Sequence, residues 1–212
     1  MQSEYPSVIK QNIAEEGMSY NTYRNMLEEL YAQGKTTGEN HSEQMLNYAK
    51  LNIQRMGRLD KTVELSGELS VLLESLQLGN DVLQFVVLTE GWCGDAAQNL
   101  PLINKIAEAH RQIELSLILR DEHLEIMDQF LTNGGRSIPK LIAIKQSSGE
   151  VLGTWGPRPE VAQNMVREFK KVPNGDYQEF VKSLQLWYAK NKTIAQQEEM
   201  IDLLKEWSTS FK

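Results

Sequence analysis

Residues 81–89 read DVLQFVVLT, a short run rich in β-branched residues and apolar on both faces. A strand with no polar face must be covered on both sides, so this run demands a sheet buried between layers. EGWCGDAA follows at 90–97, and from Asp95 to about residue 111 the pattern is helical. A second apolar run, IELSLIL, comes next, and then DEHLEIMDQFL predicts a further helix stopped by Asn133, Gly134 and Gly135. PKLIAIK and EVLGTW, separated by the polar turn QSSG, predict a β-hairpin. Strand–helix–strand crossovers followed by an antiparallel hairpin imply a mixed sheet with helices on both faces.

The regions flanking this centre are helical by periodicity. Tyr20, Tyr23, Leu27, Leu30 and Tyr31 share one face, with Ser19 as cap and Gly34 as stop. Met45, Ala49, Ile53 and Met56 predict a second helix over 42–58, and Leu69, Leu72, Leu73 and Leu76 a third. After the hairpin, two or three helices close the chain, over 160–171, 177–190 and 193–208. The aromatic face around Trp187 and Tyr188 reads as a core face.

With 22 Lys plus Arg against 29 Asp plus Glu, the net charge of −7 disfavours nucleic acid and anionic membranes as partners. MQSEYPSVIK lacks an export signal and no apolar run approaches a membrane span, so a soluble, cytoplasmic protein is expected. His41, His110 and His123 are read as surface residues without metal-ligand spacing. One cysteine makes a structural zinc site and an internal disulfide untenable, so neither metal nor cofactor is expected.

That cysteine, Cys93, falls where a buried strand meets a helix. Amides and the dipole at the helix N-terminus favour its thiolate, whereas the charge of Asp95 opposes it. Gly94 lets the backbone turn and leaves the sulfur accessible, and Trp92 sets a flat apolar surface beside it. The plainer alternative is that a free cysteine is a small buried hydrophobe. Two prolines weigh on the other side: Pro101 lies inside the following helix, and Ile138-Pro139 opens the hairpin strand.

Together these features resemble the thioredoxin family, in which a buried strand runs into Trp-Cys-Gly-Pro-Cys. There a proline kinks the helix eight residues after the first cysteine, and an Ile-Pro with a cis bond opens a hairpin strand beside the sulfur. The matches are Trp92, Cys93, Gly94, Pro101, Ile138 and Pro139, with Arg136, Leu141 and Gly149 fitting the hairpin region. The resemblance covers residues 62–172. It implies a thioredoxin-like three-layer α/β/α domain there, with a helical extension at 1–61 packed on the core and another at 173–212.

Three positions depart from the family. Ala96 replaces the resolving cysteine, Asp95 replaces the intervening proline, and Val87 stands where a buried acid assists proton transfer. The resemblance therefore implies a monothiol exchange protein. Cys93 would be the nucleophile, Trp92, Gly94, Ile138 and Pro139 would hold a peptide, and Asp95, Ala96, Pro101 and Arg136 would support them. Its partner would be a protein or peptide with a reactive cysteine, and glutathione is one candidate for the external resolving thiol. The alternative is a redox-inactive thioredoxin-fold module that binds a protein or peptide. Arg120 and Arg136 are candidates to offset Asp95, although surface pairing suits both.

Overall fold

The computed structural model describes residues 16–212, so the N-terminal decapeptide on which the export-signal reading rests lies outside the described residues. The first helix, α1 (Tyr20–Ala32), begins where the Ser19 hydroxyl accepts a bond from the Thr22 amide, and it buries Tyr20, Tyr23 and Leu27. In α2 (Glu43–Thr62), which runs a turn past the expected end, Ala49, Asn52, Met56 and Leu59 face inward at three- and four-residue steps. Ser66 caps the short α3 (Gly67–Ser75).

Every residue of β1 (Leu83–Thr89) is buried, as its unbroken apolar pattern requires. Helix α4 (Gly94–Glu108) crosses from it to β2 (Ile113–Leu119), which lies parallel to β1 with Leu83 opposite Ile113. The hairpin of β3 (Lys140–Lys145) and β4 (Glu150–Trp155) completes a mixed sheet in the order β2-β1-β3-β4. Strand β3 runs antiparallel to β1, so Val87 sits between Leu117 and Leu141. Helices cover both sides of the sheet, giving the three-layer α/β/α arrangement with helical additions.

One expected helix contracts to a single turn, α5 (Leu124–Met127). Beyond it the chain tightens into three-residue bonds, from the Gln129 amide to Ile126 and from the Phe130 amide to Met127. A reversal through Asn133 and Gly134, both at positive φ, then pairs Thr132 with Gly135. The apolar spacing in 121–131 thus serves to bury Ile126 and Met127 in one turn rather than to extend a helix.

Three helices follow the hairpin: α6 (Glu160–Lys170), α7 (Tyr177–Asn191) and α8 (Ile194–Trp207), the last continued by a 3-10 turn (Ser208–Phe211). Helix α8 belongs to the main core. Its Trp207 meets Phe85 of β1 edge-on at 5.9 Å, and the ring lies where a side chain at Gly153 would project. That core also takes in Tyr23, Leu27 and Met56 from the N-terminal helices. Helices α6 and α7 instead build a small separate cluster of Ala162, Leu184 and Tyr188. Met165, Val166, Phe180 and Trp187 pack against it, so the aromatic face of α7 joins this satellite and not the main core. No helix among the described residues is long and apolar enough to cross a membrane.

Candidate functional site

Cys93 occupies the N-cap of α4, one residue before the first helical position, because β1 ends at Thr89 and the chain turns through Glu90 and Gly91. Gly91 is confined there: a β-carbon on it would meet Leu27 Cδ2 at 2.5 Å. The Cys93 sulfur accepts a bond from the Ala96 amide at 3.4 Å and donates its own proton to the Ile138 carbonyl at 3.3 Å. The Ile138-Pro139 peptide is cis, as the family resemblance implied, and it places that carbonyl directly across from the helix start.

The sulfur is not open to solvent. Cys93 is only 8% exposed, and Ile138 and Pro139 are buried beside it, which corrects the expectation of an accessible thiol. Burial pushes the Cys93 pKa up to about 12, with the charge of Asp95 adding to it and the Ala96 and Asp95 amides opposing too weakly to reverse it. The helix-terminus effect is real, but desolvation exceeds it. A thiol in this setting is protonated at neutral pH and serves as a hydrogen-bond donor.

Asp95 has its own structure around it. The residue is 9% exposed, and its carboxylate is ion-paired with Arg158 from the loop after β4 and accepts a 2.8 Å bond from the Tyr188 hydroxyl of α7. Neighbouring contacts tie the same elements together. Gln98 donates to Gln185 at 2.7 Å, and Asn99 bonds both the Asp95 carbonyl at 2.9 Å and the Pro157 carbonyl at 3.3 Å. Helix α7 thus lies across the start of α4 through polar contacts. Arg158, Tyr188, Gln185 and Gln98 carry no signal in the thioredoxin-like motifs. The clue in the sequence was Asp95 itself, an acid beside a buried junction that needs a cation, and Arg158 follows the hairpin in GPRPE.

The other sequence-level candidates are distributed around this centre. Pro101 lies inside α4, which nevertheless continues to Glu108, and Ala96 is buried in its first turn. Trp92 is half buried with the Arg120 guanidinium 4.9 Å above its ring, while Arg120 also pairs with Asp121 at 2.6 Å. Arg136 makes a two-pronged surface pair with Asp128. Neither arginine neutralises Asp95; Arg158 does. Glu90, missed as a buried acid, is 1% exposed at the end of β1, accepts from the Asp121 amide at 2.9 Å, and is raised by burial.

His41 is exposed and His110 half buried, but His123 is 4% exposed and not on the surface. Its Nε2 lies 3.0 Å from Glu16, because the apolar turn of α5 draws residue 123 inward. Ligand atoms of Glu16, Glu122 and His123 all fall within 4.8 Å of one another.

The family model described as Thioredoxin matches residues 38–170, more than half of the chain. The chain belongs to this thioredoxin family. Its fold is shared with a Pseudomonas aeruginosa protein of unknown function, at 16% identity and a TM-score of 0.54. It is shared equally with an HIV epitope-scaffold, at 16% identity and a TM-score of 0.53. Both alignments cover 89% of this chain and 98% of the other. No curated protein matches it. In this thioredoxin-family chain the family match ends at the close of α6, so α7, which supplies Tyr188 and Gln185 to the site, lies beyond it.

Proposed function

We propose that this chain is a redox-silent thioredoxin-fold module that binds a protein or peptide, with Cys93 acting as a structural thiol. One observation carries the reading: the sole thiol is buried and donates its proton to the Ile138 carbonyl, and burial pushes its pKa up. A nucleophilic thiol must instead be ionised and reachable. With Ala96 in the resolving position, no second thiol exists to complete a dithiol cycle. The half-buried Trp92 face, with Arg120 stacked on it, is then the recognition surface for the partner. A lone reduced thiol also suits a cytoplasmic setting.

Iodoacetamide labelling of the native protein tests this. Cys93 should react roughly a thousandfold more slowly at pH 7.5 than the same residue in urea, as its suppressed thiolate fraction requires. Labelling as fast in the folded as in the unfolded chain would overturn the proposal.

A second reading, monothiol exchange, draws on the separate packing of α6 and α7, whose cluster meets the Cys93 region chiefly through polar contacts. If α7 lifts, the Cys93 thiolate attacks a partner disulfide, expels one sulfur as a thiolate and remains bound to the other. An external thiolate such as that of glutathione then attacks the mixed disulfide and regenerates Cys93. A covalent adduct that is released by reductant and absent from Cys93→Ser would favour this reading over the first.

A further inference from the structure

A cleft of about 350 Å³ opens where the end of α2 faces the corner between α7 and α8. Its volume falls at the low end of the roughly 300–1,000 Å³ range of small-molecule sites, and its lining joins Leu59, Val63, Tyr188 and Ala189 to the polar Arg58, Thr62, Lys192 and Thr193. Leu59, Val63 and Tyr188 are buried along its wall, while Arg58 and Lys192 stand exposed at its rim. In a chain of net charge −7, neither of these two cations forms an ion pair with any described residue.

The corner that forms one wall is itself strained. Lys192 and Thr193 follow one another in the left-handed region, at φ 51° and 66°, without glycine. For a β-branched residue that conformation is an outlier, and such strain clusters at binding sites. It sets Lys192 and Thr193 side by side in the wall of the cleft. The Thr193 hydroxyl accepts from Gln197 at 3.0 Å, and its own proton has no acceptor among the described residues. Two cations and a spare hydroxyl proton therefore border an apolar wall.

We infer that this cleft binds a small monocarboxylate with a hydrocarbon body, its acid group held by Arg58 and Lys192 and its chain laid against Leu59, Val63 and Tyr188. This goes beyond the reading of Cys93 and does not depend on it, since no step involves the sulfur.

Octanoate is a suitable probe, with octanamide as its neutral counterpart, observed by backbone-amide NMR and titration calorimetry on the full chain. Octanoate should bind saturably, with shifts centred on residues 58–63 and 188–193, and octanamide at least tenfold more weakly. Neutralising both cations with Arg58→Gln and Lys192→Gln should weaken octanoate tenfold or more. Both residues are exposed, and a retained circular-dichroism spectrum verifies the fold. Ala189→Trp, an exposed position lining the cleft, should fill it and abolish binding. Absence of saturable binding, equal affinity for acid and amide, or octanoate affinity unchanged in the double variant would each overturn the inference. Labelling of Cys93 reports separately on the functional proposal.

Discussion

The Cys93 thiol and the Ile138 carbonyl are joined by a hydrogen bond across 3.3 Å, linking the start of α4 to the loop that leads into β3. The two residues are 45 positions apart, so the bond joins the parallel half of the sheet to the hairpin half. Its donor is the neutral thiol. Ionising the sulfur would remove the proton that makes the bond and leave a charge in a desolvated site.

The sign of the resulting pH dependence follows. The folded thiol is pushed up to about 12, whereas an unfolded cysteine titrates near 8.5. The unfolded chain therefore loses its proton first, and stability that is fully present below about pH 8.5 declines as pH rises towards 12. The limiting slope is about 1.4 kcal/mol per pH unit. Urea denaturation at pH 8.5 and 9.5 should show wild type losing about 1 kcal/mol relative to Cys93→Ala. Equal pH profiles would contradict a buried neutral thiol.

Asp95 and Arg158 form a pair whose side chains are 11% and 15% exposed. Removing the cation alone strands a carboxylate whose other hydrogen bond among the described residues comes from Tyr188. Arg158→Leu is expected to cost about 3–5 kcal/mol, the usual penalty for breaking a buried pair. Asp95→Asn combined with Arg158→Leu should recover a large part of that loss. Chemical denaturation of the two single variants and the double measures the coupling, and additive losses would contradict it.

Tyr188→Phe removes one charge-assisted hydrogen bond to Asp95 while keeping the ring in its cluster. A loss of about 1.5–3 kcal/mol is expected by denaturation. Because the same hydroxyl joins α7 to the Cys93 region, amide hydrogen exchange should accelerate in α7 more than in α8. Uniform acceleration across the two helices would contradict the separate packing of the α6–α7 cluster.

Trp207 is the largest side chain sealed in the main core, held edge-on against Phe85. Trp207→Ala should cost about 3–5 kcal/mol. Gly153→Ala attacks the same contact from the sheet side, because its added methyl would collide with the indole nitrogen. Thermal unfolding should rank both well below wild type, and a neutral Gly153→Ala would show that the ring has room to shift.

The fold was readable in the sequence because its signals are local. The run 83–89, apolar on both faces, reads as a covered strand and 113–119 as its part-covered neighbour, and Trp92-Cys93-Gly94 and Ile138-Pro139 fall on fixed elements. The state of the site was not readable, because it depends on contacts between distant positions. Arg158 reaches Asp95 across 63 residues and Tyr188 reaches it across 93. Spacing around Cys93 indicates a helix N-terminus and therefore a favoured thiolate. Only the burial of the sulfur in the folded chain reveals that desolvation exceeds the dipole. The length of α5 failed for a related reason: the same apolar spacing fits one buried turn as well as a long helix.

Helix α8 fills a role that its place in the chain conceals. Met200, Ile201, Leu204 and Trp207 sit in the main core, and Trp155 Nε1 donates to Glu199, although the family match stops at residue 170. A fragment trimmed to the matched segment would bare Phe85 and the neighbouring sheet as an oily, adhesive surface. The tail is therefore an integral wall of the building, and insertions or deletions should accumulate in the polar loops long before they reach it.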